Sequence, residues 1–185
     1  MRRIETERLI LRPFEAADHE AYQAIRAKPS VVRFVPDGEE GAKDAAAVAA
    51  RFIEGARRCW ESDGYGPWAA IERSEGRLIG HAGLRLLPQF GGETEILYMF
   101  DEPYWGRGYA TEAATAARNA AFAEAKLPRV VALAAPENRG SINVMEKIGL
   151  RFERKATLYG LNAVCHAMDR KDWLARQSAR QMRGA

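Results

Sequence analysis

The sequence predicts an α+β fold in a single domain spanning residues 1–185, and three observations carry the prediction. Short apolar and aromatic runs alternate with stretches patterned at helical spacing, which gives about seven strands and several helices. Two pairs of neighbouring strand runs, 68–72 with 78–86 and 152–158 with 163–169, are joined by short turns, as antiparallel strands are. No internal repeat, low-complexity tract or linker divides the chain, and 185 residues suffice for one buried core.

Residues 7–13 read as the first strand, with Leu9 and Leu11 on one face, Ile10 on the other, and Pro13 as its end. A helix opens at Glu15-Ala-Ala-Asp18 and runs to about Lys28, where Pro29 follows. Residues 29–41 hold Pro29, Pro36, Gly38 and Gly41 and read as loop. Residues 42–60 predict a long helix, because Val48, Phe52 and Ile53 recur at helical spacing beside Ala45, Ala49 and Ala56. The cluster Ser62-Asp-Gly-Tyr-Gly-Pro67 turns the chain into the first hairpin, whose loop is Arg73-Ser-Glu-Gly76. Gly80 and Gly83 inside its second strand predict a bulge or a close backbone approach, and His81 between them reads as a hydrogen-bonded or surface strand residue. Pro88-Gln-Phe-Gly-Gly92 turns back into a strand over 94–100, which Asp101-Glu-Pro103 stops. An alanine-rich helix over 110–125 follows, then a strand over 129–133. Asn138 is a candidate cap for a helix that starts near Ser141 and stops at Gly149. The two last strands and a short terminal helix over 171–180 complete the chain.

The order strand, glycine loop, helix around Gly106 and Gly108 carries chemistry. It aims backbone N–H groups at one spot by the positive end of a helix, and glycine lets an anion come close. A pyrophosphate cradle is the physical reading. A P-loop is excluded, because no Gly-Lys-Ser/Thr is present. A dinucleotide fingerprint fails at Thr111, where glycine or alanine is needed, and at the strand over 129–133, which has no acidic end.

Tyr104-Trp-Gly-Arg-Gly-Tyr-Ala-Thr-Glu-Ala113 closely resembles the acetyl-coenzyme A loop of the GNAT N-acetyltransferases, in particular the branch that includes the ribosomal-protein N-terminal acetyltransferases. Of that family's pattern Arg/Gln-x-x-Gly-x-Gly/Ala, Trp105 takes the first place, Gly108 the fourth and Ala110 the sixth. Pro136-Glu-Asn-Arg-Gly-Ser-Ile-Asn-Val-Met-Glu-Lys-Ile-Gly-Leu-Arg-Phe152 resembles the family's Asn-x-x-Ser…Glu-Lys-x-Gly-Phe segment, with Leu150 where phenylalanine is usual. Thr-Glu-Arg-Leu-Ile-Leu-Arg-Pro13 resembles the opening of the same branch.

The resemblance implies a central mixed, mostly antiparallel, splayed sheet flanked by helices, with acetyl-coenzyme A as cosubstrate and no metal. It implies transfer of the acetyl group to a primary amine by direct attack, the acceptor being a protein N-terminus or a small amine. Backbone groups of Tyr98, Met99 and Phe100 would face the pantetheine arm and thioester, and one N–H would serve as the oxyanion donor. Arg107, Gly108, Tyr109, Ala110 and Thr111 would hold the diphosphate, and Asn138 and Ser141 would lie beside the arm. Glu95 is the candidate base; the alternative is a solvated strand residue or one that only binds the ammonium, and Glu93 is a weaker candidate. Met145 stands where many members carry a tyrosine acid, so Ser141 is the substitute acid, unless it only caps the helix or bonds the cosubstrate. Arg33, Phe34 and Val35 fall in a segment that borders the acceptor site in the family; a plain surface loop is the other reading. The oligomeric state is not legible in the sequence; dimers are common among relatives, so the resemblance leaves a homodimer open.

Composition is ordinary for a soluble globular protein, at 47% apolar and 29% charged residues. The net charge of +3 suits a polyanionic cosubstrate but calls for no nucleic-acid partner. Cys59 and Cys165 match no CxxC pattern, so a reduced, cytoplasmic setting is expected. The opening lacks an apolar signal core, and no run approaches the ~20 apolar residues of a membrane span. A coenzyme A-binding sensor or assembly protein without turnover is the alternative.

Overall fold

The computed structural model describes residues 3–36 and 38–184. In chain order the strands are β1 (Ile4–Glu5), β2 (Leu9–Arg12), β3 (Pro67–Glu72), β4 (Arg77–Leu87), β5 (Glu93–Phe100), β6 (Arg129–Ala134), β7 (Arg151–Leu158) and β8 (Leu161–Asp169). The helices are α1 (His19–Arg26), α2 (Pro29–Val32), α3 (Gly38–Lys43), α4 (Ala45–Ser62), α5 (Tyr109–Ala123), α6 (Arg139–Lys147) and α7 (Arg170–Gly184). All eight strands join one sheet in the order β1-β2-β3-β4-β5-β6-β8-β7. Every neighbouring pair is antiparallel except β5 with β6.

Helices cover both faces. On one face α1 and α4 bring Tyr22, Ile25 and Ala49 against Ala69, Ile71 and Met99. On the other, the alanine-rich side of α5 lies against Leu9, Leu11, Ile79, Ile96 and Phe100. Small alanines let this helix sit close to the sheet, and β3, covered from both sides, is buried along its whole length. The alternation expected of the first strand holds: Leu9 and Leu11 are fully buried under α5, while Ile10 packs on the α1 side. Gly80 and Gly83 are required by close approach. A Cβ on Gly80 would come within 2.2 Å of the Met99 carbonyl oxygen, and one on Gly83 within 2.5 Å of the Gly66 oxygen.

Three features differ from the sequence expectation. The eighth strand is the two-residue β1, too short to show a period. The stretch over 29–41, expected as loop, contains α2 and the start of α3; Pro29 sits at the first helical position, where its missing N–H costs nothing, and Val31 and Val32 are buried. The terminal helix is longer than 171–180. No helix among the described residues is long and apolar enough to cross a membrane.

Candidate active site

The sheet comes apart at one place. β5 and β6 share a single register pair, Glu95 with Val131. Beyond it the two strands separate, while β5 stays paired with β4 to its end, Gly80 opposite Phe100. The Asp101 N–H donates to the Ile79 carbonyl at 2.8 Å, across the β4 side. By alternation the N–H groups of Met99 and Leu97 also turn to β4, and those of Phe100 and Tyr98 turn toward β6. The Phe100 carbonyl, on that same edge, accepts the Trp105 indole N–H at 2.7 Å. A cleft of about 1330 Å³ opens there and is lined by residues of both sheet faces.

One end of this cleft meets the glycine loop. Gly106 and Gly108 both have positive φ, +69° and +85°, a conformation that a Cβ disfavours. Gly108 occupies the N-cap position of α5, so the first N–H groups of that helix are free of helical partners. Gly108, Tyr109, Ala110 and Thr111 line the cleft. Arg107 does not; its guanidinium lies over the rings of Tyr104 and Tyr109, 5.7 and 5.5 Å from their centroids. The loop is braced from the N-terminal strands. Glu112, one turn into α5, accepts from the Thr6 hydroxyl (2.6 Å), the Arg8 backbone N–H (2.8 Å) and the Arg8 Nε (2.7 Å). Arg8 Nη1 also donates to the Arg107 carbonyl at 2.8 Å. Burial acts against the Glu112 carboxylate, but the bonds from Thr6 and Arg8 outweigh it and hold the carboxyl below its usual range. No local pattern in the sequence joins Arg8 to Glu112; the resemblance of residues 6–13 to the family opening is the one signal that reaches Arg8.

Helix α6 forms another wall. The Asn138 side chain caps it, accepting from the Ser141 N–H at 3.1 Å, as expected. The Tyr98 hydroxyl donates to the Ser141 carbonyl at 2.9 Å and lies 3.0 Å from Ser141 Oγ. Burial raises the Tyr98 phenol, so it keeps its proton. Met145 is 1% exposed and packs in the core, and it also contributes to the cleft wall, where it offers no proton to donate. Tyr98, Ser141 and Asn138 are thus brought together, and Met99 and Phe100 line the same cleft from the strand.

The far end opens on the α1 and α4 face. Glu95 is 5% exposed and pairs across the ladder with Arg85, both contacts falling on Oε2 (2.6 Å from Nη2, 3.2 Å from Nε). Burial raises the carboxyl above its usual range, with Arg85 opposing. Glu95 is therefore no solvated residue; it sits in the last β5–β6 pair, where the cleft begins. Glu93, the weaker candidate, is instead bound to Arg129 at 3.3 Å. His81 is a hydrogen-bonded strand residue, its Nδ1 3.0 Å from the Tyr22 hydroxyl, and burial keeps it neutral by lowering its pKa. Arg33, Phe34 and Val35 border this end. Among the described residues no group of His, Cys, Asp and Glu is placed to hold a metal.

Comparison with known proteins agrees with this geometry. Residues 8–151 match the model of the acetyltransferase (GNAT) domain. The chain is 35% identical over 151 residues to YnaD of Bacillus subtilis (strain 168), named as an uncharacterized N-acetyltransferase, covering 81% of this chain and 83% of that one. A GNAT-family acetyltransferase from Bacillus anthracis superposes with a TM-score of 0.76 at 30% identity, over 91% of this chain and 99% of the other. Mycobacterium smegmatis RimJ, solved in complex with CoA-disulfide, shares the fold with a TM-score of 0.73 at 20% identity, over 89% and 83% of the chains. The parted strands, the glycine loop at a helix head and these likenesses converge: the chain belongs to the GNAT family and is an acetyl-coenzyme A-dependent acetyltransferase.

Proposed function

We propose that the chain, working as one domain over residues 1–185, moves the acetyl group to a primary amine by direct attack in the cleft between β5 and β6. The observation that carries this is the continuity of the cleft, from the glycine loop past the open edge of β5 to Glu95. The fit of acetyl-coenzyme A rests on the backbone: two left-handed glycines and the uncapped N–H groups of α5 suit a diphosphate. Gly108, Tyr109, Ala110 and Thr111 hold it, Arg107 contributing backbone only, and Asn138 and Ser141 flank the pantetheine arm. The cosubstrate supplies the acetyl group as a thioester.

The amine nitrogen bonds to the carbonyl carbon as the carbon–sulfur bond breaks. The N–H of Tyr98 or Phe100 stabilises the charge on the carbonyl oxygen, a contribution of ~3 kcal/mol to the barrier for one donor. Glu95 accepts the amine proton through water. Its raised pKa brings it nearer to the working pH, where a base is most effective. The Tyr98–Ser141 hydroxyl pair relays a proton from solvent to the thiolate, each hydroxyl regaining a proton as it gives one up, and so fills the acid role that Met145 cannot take. The loop sequence over 104–113 supports the branch of ribosomal-protein N-terminal acetyltransferases and, with it, a peptide N-terminus as acceptor; a homodimer accords with that branch.

An acetylation screen over peptides and small amines, read by mass, tests the reading. Acetylation of at least one amine with release of coenzyme A is expected. Binding of coenzyme A with no thiol release from any amine would favour a sensor without turnover, the reading that Met145 in the acid position suggests.

A further inference from the structure

Among the described residues, guanidiniums outnumber carboxylates at the acceptor end of the cleft. Arg26 of α1, Arg33 beyond α2, Arg51 of α4 and Arg85 of β4 all line it. The one carboxylate lining this end among the described residues is Glu95, and it is already matched by Arg85 at 2.6 Å. Arg33 and Arg51 are exposed and have no ion pair among the described residues; the contact of Arg33 is with its neighbour's ring, 5.1 Å from the Phe34 centroid. These guanidiniums lie on the α1 and α4 face, across the sheet from the head of α5, so the diphosphate of the cosubstrate does not account for them. Between them the wall is apolar, with Val35, Val48, Phe52 and Met99.

Resting on the transferase reading above, we propose that the acceptor is an amine that also carries an oxyanion, a carboxylate or phosphate, which Arg33 and Arg51 receive while the amine reaches Glu95. A guanidinium offers paired N–H donors that match either anion. The apolar wall suits the carbon chain between the two groups. Polycationic amines, polyamines and aminoglycosides among them, meet like charge at this mouth and are disfavoured. The oxyanion could belong to a small amino acid or to an acidic residue close behind a peptide N-terminus, and both present the same chemistry.

The test uses matched acceptors with the full-length protein: an amino acid against its amide, a peptide with Asp or Glu in its first positions against Asn or Gln, an O-phosphorylated amine against its alcohol, and a polyamine. Rates of acetylation by mass should favour the anionic member of a pair by about tenfold in kcat/KM, a ratio that shrinks with added salt. The pair that shows the preference identifies the source of the anion. R33Q and R51Q together should bring that ratio close to one, with coenzyme A affinity as the check on folding. Equal or faster acetylation of the amides or the polyamine overturns the proposal while leaving the transferase reading intact, as does a ratio that the double variant does not change. If coenzyme A binds but no amine is acetylated, the transferase reading falls. In that case calorimetric titration of the acid and its amide into coenzyme A-loaded protein still decides, and equal affinity overturns the proposal.

Discussion

Replacing Arg85 by Gln should move the pH dependence of turnover, because Arg85 alone offsets the burial of Glu95. The two side chains meet at 2.6 Å, with Glu95 nearly sealed and the Arg85 side chain 34% exposed. Opposite unit charges about 4 Å apart at an effective dielectric near 20 attract by ~4 kcal/mol. With Arg85 reached by water and salt, half of that is a fair working figure, ~2 kcal/mol or ~1.5 pKa units. Its loss pushes the carboxyl higher still, and in the base role proposed for it Glu95 works only when ionised. The acid limb of kcat, measured at saturating acceptor, should therefore shift to higher pH by roughly 1–2 units, with the rate recovered on the alkaline side. Using one acceptor throughout keeps the titration of the amine common to all variants. Glu95→Gln should remove the limb, and R85Q should add nothing to it. A raised carboxyl pKa lends stability below the unfolded value and loses it as pH rises, so melts of R85Q should weaken from mildly acidic toward neutral pH more than those of the wild type. A limb that stays in place in R85Q, or a shift that persists without Glu95, would refute the role given to this pair.

Gly108→Glu puts a side chain and a negative charge at a position with φ +85°, inside the proposed anion cradle; calorimetry should show coenzyme A affinity reduced by more than ~100-fold. Tyr98→Phe removes the phenol beside Ser141 and should lower kcat by ~10- to 100-fold with coenzyme A affinity nearly unchanged, by stopped-flow detection of thiol release. Met145→Tyr overfills a site that is 1% exposed, so it should lower the melting temperature, at ~1–3 kcal/mol, and bring no gain in kcat. Glu112→Gln should cost ~1–2 kcal/mol near neutral pH. The Glu112 carboxyl has a lowered pKa, so its contribution is present above the usual carboxylate range and lost as pH falls through the folded value; melts of the variant should accordingly depend less on pH in that acid range than those of the wild type.

What was legible in the sequence was local. The glycines before α5, the alternation of Leu9, Ile10 and Leu11, and the Asn138 cap are each written within a few residues, and each is found as read. The α2 helix was hidden because Pro29 and the nearby glycines read as loop, while the burial of Val31 and Val32 depends on what packs over them. The Arg85–Glu95 pair lay within reach, since the turn over 88–92 sets the register of β4 on β5 and places opposite charges face to face. The parting of β5 from β6 was not: those strands are distant in sequence, and neither carries a mark saying where their pairing stops. It was expected only through the family resemblance. The side-chain lock between Thr6, Arg8 and Glu112 likewise spans more than a hundred residues, beyond the range of any local pattern.

That lock means the loop proposed as the anion cradle is braced by residues 6–8, about a hundred residues away in sequence. A protease that clips after Arg8, or a fusion that pulls the opening strand away, would strip the brace from a loop far along the polypeptide while leaving the core standing. Such a trimmed protein would melt like a folded one yet hold its thioester donor weakly, and would be mistaken for an inactive batch.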